Sequence, residues 1–320
     1  MGHVVRNKSH IKTVANLRLL HFFGLFFFLL SGQGFCNPSE DLFSLIISKN
    51  IRPYIEAAEG FQEIVLQHEQ FDAAVYFLAN NAESGKELPW QRITATSVIV
   101  AIGPEALDAT IQYTEGVKSA VFYMMVSKPR DVIKNRRDIC GISLNIPPLQ
   151  QMKAISERLP ELKSIGLLFD PAYNDAFYRE ATFSAGDMGM AIVPLTVSTK
   201  KEISQVLDDG WDRIDALWMI PDHTIISESL VRYIIKDGLL NDRPVIGYNR
   251  FFYEAGASVA FAFDYNEIGR QAARTFIESR ETGNCTETSP PYSVLINTKV
   301  LNKIGLSIQS KNEPDVEVEP

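Results

Sequence analysis

Short runs of nearly uninterrupted apolar residues recur along this chain, each followed by a stretch with helical spacing, and no other feature limits its folding choices as much. Leu42–Ser48 (LFSLIIS), Asp72–Ala79 (DAAVYFLA), Ser97–Gly103 (SVIVAIG) and Ser119–Val126 (SAVFYMMV) are such runs in the first half. A strand that is apolar at almost every position has both faces covered, the mark of a parallel sheet with helices on either side. The intervening stretches fit that arrangement. Pro53 opens a helix through Gln67 in which Ile55, Ala58, Phe61 and Val65 share one face. Pro104-Glu105 opens another, with the acid in the first turn, where the helix dipole favours it. The polar stretch from Asn80 to Trp90 reads as a loop or a poor helix.

The rhythm breaks at Cys140–Pro148 (CGISLNIPP) and then begins again. Proline has no N–H and a fixed φ, so it ends a strand ladder but suits the first turn of a helix. The stretch therefore reads as a strand of one sheet running into a helix of another. Helix Pro148–Leu159 follows, with Leu149, Met152, Ile155 and Leu159 on one stripe. Strands are expected at Ile165–Phe169, Ala191–Val197, Asp215–Pro221 and Pro244–Tyr248, with a helix at Thr224–Leu239 and Asn174 placed to cap the helix after Asp170-Pro171. Beyond the small apolar run Ala255–Phe263, Asp264 and Glu267 form a D-x-x-E capping box for a helix through Ser279. A last strand, Tyr292–Asn297, and a short helix, Thr298–Gly305, complete the pattern.

The expected organisation is two α/β lobes joined by three crossings, near residues 145, 250 and 287. Residues 37–145 and 250–284 make the first lobe, 146–249 and 285–310 the second, and the polar, acidic tail 311–320 is disordered.

The first 36 residues carry Arg6, Lys8, Lys12 and Arg18 and no acid, then the apolar run Leu19–Leu30, then the small residues of Ser31–Gly34. Positive, apolar and small segments in that order are the layout of a secretory signal peptide, residues 1–36, cleaved after Gly34 or Cys36. As a helix the apolar run is about 18 Å long, short of a hydrocarbon core of about 30 Å. The expected location is periplasmic or extracellular. A lipid anchor on Cys36 is the less favoured reading, because Phe35 stands where the lipidation box needs a small residue. Formal net charge is −8, and without the leader it is −12. A body this acidic, with no basic cluster, argues against nucleic acid or an anionic membrane as partner. Cys140 and Cys285 both fall near crossings and read either as two unpaired core thiols or as a disulfide in an oxidising compartment.

Several stretches in order resemble one known family: Ser48–Phe61 (SKNIRPYIEAAEGF), Ala101–Ala106 (AIGPEA), Val121–Pro129 (VFYMMVSKP), Gly141–Pro148 (GISLNIPP), Ile165–Pro171 (IGLLFDP), Asp215–Asp222 (DALWMIPD), Asp264–Ala273 (DYNEIGRQAA) and Ile296–Leu306. Together they resemble the substrate-binding proteins of ABC transporters in the family that includes the tryptophan-binding lipoprotein of Gram-positive bacteria. The resemblance covers nearly all of the chain after the leader. It implies a type I periplasmic binding protein fold, with two Rossmann-like lobes, parallel sheets and a three-segment hinge that closes on a small ligand. It also implies an aromatic or hydrophobic amino acid as ligand, and ABC permease subunits in the membrane as partner. A sensor that presents its closed form to a membrane receptor kinase would have the same fold. One departure is the loop Ser127-Lys128-Pro129, where the family pattern carries Asp before Pro. A lysine there either favours an anionic ligand or points to solvent.

Parallel α/β sheets bind ligands beyond the carboxyl ends of their strands, where free N–H groups at helix starts hold anions. That rule nominates Ser48, Asn50, Gly103, Pro104, Glu105 and Ser127 in the first lobe and Asp170, Tyr173, Asn174, Asp222 and Thr224 in the second, with Tyr248, Asn249 and Asp264 around the second crossing. Helix capping is the rival role for Asp222 and Asp264, turn formation for Ser48 and Asn50, and strand core for Met124, Met125 and Trp218. Neither G-x-S-x-G nor H-E-x-x-H occurs. The reading is a monomeric binding protein rather than an enzyme, with no metal and no cofactor.

Overall fold

The computed structural model describes residues 41–67, 71–78, 87–134, 136, 138–225, 227–307 and 316–319; the leader and Cys36 lie outside them, as does most of the Asn80–Trp90 loop. Five parallel strands make the first sheet: β1 (Asp41–Ile47), β2 (Phe71–Phe77), β3 (Val98–Ile102), β4 (Ala120–Val126) and β5 (Ile139–Ser143), in the order β2-β1-β3-β4-β5. All five positions of β3 are buried, as an apolar strand between two helical layers requires. Helices α1 (Arg52–Val65) and α2 (Pro104–Tyr113) each begin at a proline within the first two positions.

The second sheet has the order β12-β11-β10-β9-β8-β6-β7, from β6 (Ser164–Phe169), β7 (Ala191–Thr196), β8 (Ala216–Met219), β9 (Val245–Gly247), β10 (Val259–Ala262), β11 (Ser293–Asn297) and β12 (Val316–Glu319). Its pairs are parallel except β10 with β11. Helices α3 (Pro148–Arg158), α4 (Pro171–Asp187) and α5 (Glu228–Leu240) belong to this lobe; the last starts four residues later than its sequence pattern predicts. Each sheet has an apolar cluster on either face, and Trp218, Met124 and Met125 are core residues.

Three expectations change. Residues 250–262 do not belong to the first lobe, because β10 pairs with β9 in the second sheet. The chain returns to the first lobe only after Phe263, in helix α6 (Tyr265–Thr282), whose Ile268, Ala272, Ala273 and Phe276 join the first-lobe core. Helices α1 and α6 meet backbone to backbone: a Cβ on Gly269 would lie 2.0 Å from the Ala57 carbonyl oxygen, so only glycine permits the approach. Phe263, at the crossing, packs against the cores of both lobes.

The second change is that Cys140 and Cys285 form a disulfide, so they are not core thiols. The bond and an Ile142–Thr288 bridge hold the third crossing against β5, and this segment leaves the first lobe later than residue 285. The third is at the tail. Val316–Glu319, expected to be disordered, lies parallel to β11 with Val294 opposite Val316, since its alternating Val-Glu pattern has strand period.

Candidate functional site

At the exit of β1, buried Ser48 accepts a hydrogen bond at 2.8 Å from the Ala106 N–H, in the first turn of α2. Gly103 sits between them at φ +94°, and a Cβ there would lie 2.6 Å from Ser48 Oγ and 2.9 Å from the Tyr54 ring. Glycine is therefore demanded by backbone angle and space together. Pro104 starts the helix, and Glu105 pairs with Lys49 at 2.5 Å. Burial pushes the Glu105 carboxyl up, but hydrogen bonds from Lys49, its own backbone and Ser48 outweigh it and hold the group below its ordinary value. Asn50 is exposed in the turn.

The second lobe presents a closed network. Asp170 caps α4, its Oδ1 accepting from Ala172 N at 2.9 Å and its Oδ2 from Thr224 Oγ1 at 2.8 Å. Asp222 Oδ2 accepts from Asp170 N at 2.8 Å and from Asn174 Nδ2 at 2.7 Å, while its Oδ1 accepts from Thr224 N at 2.8 Å. Asp170, Asn174 and Asp222 are 5%, 5% and 2% exposed. Asn174 is thus not the helix cap; it lies one turn inside α4, at φ −132° and ψ 19°, where the kink turns its amide onto Asp222. Tyr173, half exposed, has its ring 5.3 Å from that of His223.

The helix starts nominated as anion sites are occupied by the chain's own oxygens. Ala106 N goes to Ser48, Ala172 N to Asp170 and Thr224 N to Asp222. These three N–H groups are taken because Ser48 reaches α2 from the exit of β1, Asp170 caps α4, and Asp222 closes the turn that holds Thr224, four residues before α5 begins. Asn249 caps the short helix Arg250–Glu254 through the Phe252 N–H, and Asp264 caps α6 through the Glu267 N–H.

Between the lobes lies a cavity of about 210 Å³. Ser127, Tyr248 and Asn249 line it, as nominated, and so do residues that the strand-exit rule missed. Leu144, Asn145 and Ile146 come from the first crossing and Phe263 from the second, with Tyr265 opening α6 beside it, and Gln151, Pro221 and Phe261 of β10 come from the second lobe. The signal for them was the apolar and amide character of the crossings themselves. Gln151 Nε2 donates to the Ile146 carbonyl at 2.8 Å, while its buried Oε1 has no partner. Burial, with the Asp222 charge adding to it, raises the Tyr248 pKa and keeps its hydroxyl protonated. A larger depression of about 660 Å³ adjoins this cavity and takes in Asp264, with Arg52, Glu56 and Arg250. The smaller one is the better candidate because strand-exit loops of both lobes meet the crossings there.

Lys128, not among the nominated residues, is exposed and does not line the cavity, but its ammonium is bound. From the β4 exit its ammonium reaches α4 of the opposite lobe, 2.8 Å from the Tyr173 carbonyl oxygen and 3.2 Å from Asn174 Oδ1. A bulge delivers it there: the β4–β5 register shifts between Tyr123 and Val126, with Met125 at φ +62°.

Comparison with known proteins agrees with this architecture. A substrate binding protein with adhesive properties from Clostridium difficile, in its ligand-free, open structure, superposes with a TM-score of 0.70 at 14% identity, covering 87% of this chain and 99% of that one. A conserved domain protein from Vibrio cholerae gives 0.58 at 18% identity, covering 87% and 99%. An ABC domain from Streptococcus pneumonia in complex with L-Trp gives 0.58 at 15% identity, covering 86% and 99%. No curated protein matches the sequence significantly. Residues 83–312 match the family model described as ABC transporter substrate binding protein, which is well over half of the sequence, and the chain belongs to that family.

Proposed function

We propose that this chain is the extracytoplasmic solute-binding protein of an ABC importer, and that it takes its solute into the cavity of about 210 Å³ at the crossings before presenting it to membrane permease subunits. The observation that carries the reading is the composition of that cavity's wall: residues of both lobes and of two crossings meet there, so binding and hinge motion act on the same atoms. The volume is below the usual range of about 300–1,000 Å³ for ligand pockets, which favours a compact solute. Leu144, Ile146, Phe261 and Phe263 favour an apolar body, and Asn145, Asn249 and Gln151 a polar end. The buried, unpartnered Gln151 Oε1 adds a preference for a donor at that end. The L-Trp complex of the Streptococcus relative supports an apolar or aromatic solute of this kind. Export to an oxidising compartment agrees with the leader and with the Cys140–Cys285 disulfide.

Native mass spectrometry of the protein as purified tests the reading, with a thermal-shift panel of small metabolites beside it. A retained small molecule, or a saturable rise in Tm with one compound class, is the expected result. A protein that carries nothing and whose Tm ignores the whole panel would overturn it.

A further inference from the structure

The contact of Lys128 with α4 joins a mobile type of side chain to a fixed set of acceptors. Its ammonium faces the Tyr173 carbonyl and Asn174 Oδ1. Asn174 Nδ2 in turn donates to Asp222, and Asp222 is bound to Asp170 through the Asp170 N–H. The two carboxylates are almost fully buried, and the hydrogen bonds described for them come from backbone N–H groups, one hydroxyl and one amide, all of them neutral. Two neutral oxygens converging on one point, with buried negative charge behind them, are what a primary ammonium requires of a site: acceptors within reach of its N–H groups and a field of the right sign.

We propose that Lys128 is a specificity-determining residue of the cleft. It fills this ammonium site from within the chain, ties the lobes of the ligand-free protein together, and refuses solutes that carry a free primary ammonium. A second ammonium cannot share the corner with the first, since both need the same two oxygens and repel each other. The corner adjoins the cavity through Ser127, the chain neighbour of Lys128, and through Pro221, whose carbonyl accepts from Asn174 Nδ2 at 3.2 Å. An ammonium has three N–H donors and two of those of Lys128 are accounted for, so the third is left for an acceptor on a solute that reaches this edge of the cavity. The solute class that results is an amine-free molecule with a carbonyl or carboxylate end. The exclusion of amines rests on the proposed solute-binding function; the occupancy of the corner by Lys128 does not.

The test uses the full mature chain with Lys128→Ala, and Lys128→Met as a second variant that keeps most of the stem. Lys128 is exposed, so neither change removes core packing. The probe is n-butylammonium chloride, with tetramethylammonium chloride, which has no N–H, as the control. Thermal shift and small-angle scattering are read in the absence of any solute. Expected are a larger radius of gyration for both variants than for wild type, and a saturable rise in Tm with a return to wild-type dimensions when Lys128→Ala receives n-butylammonium. Wild type should not respond, and tetramethylammonium should do nothing. The proposal is overturned if the variants keep wild-type dimensions, if Lys128→Ala ignores n-butylammonium or answers the control equally, or if wild type responds as the variant does. A second arm compares 3-phenylpropanoate with L-phenylalanine by calorimetry. The deaminated compound should bind wild type at least about tenfold tighter, a difference that Lys128→Ala should erase or invert. Equal or better binding of the amino acid by wild type would overturn the exclusion. Rescue by n-butylammonium with no binding of either acid or of any panel metabolite would instead count against the solute-binding function and leave the ammonium site standing.

Discussion

Cys140 and Cys285 are joined across 145 residues of sequence, with Cα atoms 6.0 Å apart, and their bond fastens the third crossing to the last strand of the first lobe. A covalent tie that closes a loop of this length limits the unfolded ensemble. A Cys140→Ser, Cys285→Ser double variant is expected to lose about 2–5 kcal/mol of stability. Urea denaturation would show it as a lower midpoint, and reducing agent should lower wild type to the same value without affecting the variant. A midpoint unchanged by either treatment would remove the disulfide from the account.

Gly103 places the start of α2 against Ser48 and Tyr54 in a backbone conformation that side chains avoid. Gly103→Ala should cost at least about 2 kcal/mol, because backbone strain and overpacking fall on the same atom. If chemical denaturation finds the variant as stable as wild type, the loop has another conformation open to it and its rigidity is not a property of the site.

Asp222 holds together three donors: Asp170 N, Asn174 Nδ2 and Thr224 N. Asp222→Ala takes the described acceptor from Asp170 N and Thr224 N and leaves Asn174 Nδ2 only its longer bond, 3.2 Å, to the Pro221 carbonyl, and should destabilise the protein by about 3 kcal/mol. It should also free the Asn174 amide, so that the Lys128 contact weakens and the ligand-free protein expands in scattering. A variant with wild-type denaturation midpoint and dimensions would contradict both expectations.

Glu105 makes a small acid-sensitive contribution. Its folded pKa lies below the ordinary 4.5, so the stabilisation is fully present above that value and is lost as pH falls through the lowered folded value. The side chain is 43% exposed and its partner Lys49 55%, so solvent screening holds the contribution to less than about 1 kcal/mol. The stability difference between wild type and Glu105→Gln should therefore be constant near neutrality and shrink as pH drops below about 4.5. A difference that grows with acidity would reverse the assigned sign.

Much of the fold was legible from residue order. Near-continuous apolar runs marked the parallel strands, prolines marked the starts of α1, α2 and α3, and Asp264 was read as the cap that it is, whereas the cap of α4 was placed at Asn174 and is Asp170. These are short-range signals, carried by residues within one or two turns of each other. The site was less legible. Ser127, Tyr248 and Asn249 do line the cavity, but Glu105, Asp170, Asp222 and Asp264 have the hydrogen-bonding groups of a ligand site and spend them within the chain: Glu105 on Lys49, Asp170 and Asp264 on helix starts, and Asp222 on Asp170 N, Asn174 and Thr224.

What residue order left open was every relation between distant segments. Both β10 and the helix that follows it carry apolar residues suited to either lobe, and only pairing with β9 and the glycine contact with α1 assign one to each. The positions of the cysteines near two crossings allowed a disulfide but did not decide it, since their chain neighbours are the same whether or not the thiols meet. Lys128 would pass for a surface lysine in any local pattern; the bulge at Met125 and the kink at Asn174, two backbone departures 49 residues apart, bring its ammonium to the opposite lobe. Local interactions select the elements, but the free energy of packing and of satisfying buried polar groups is a property of the assembled chain, and it is there that partners are chosen.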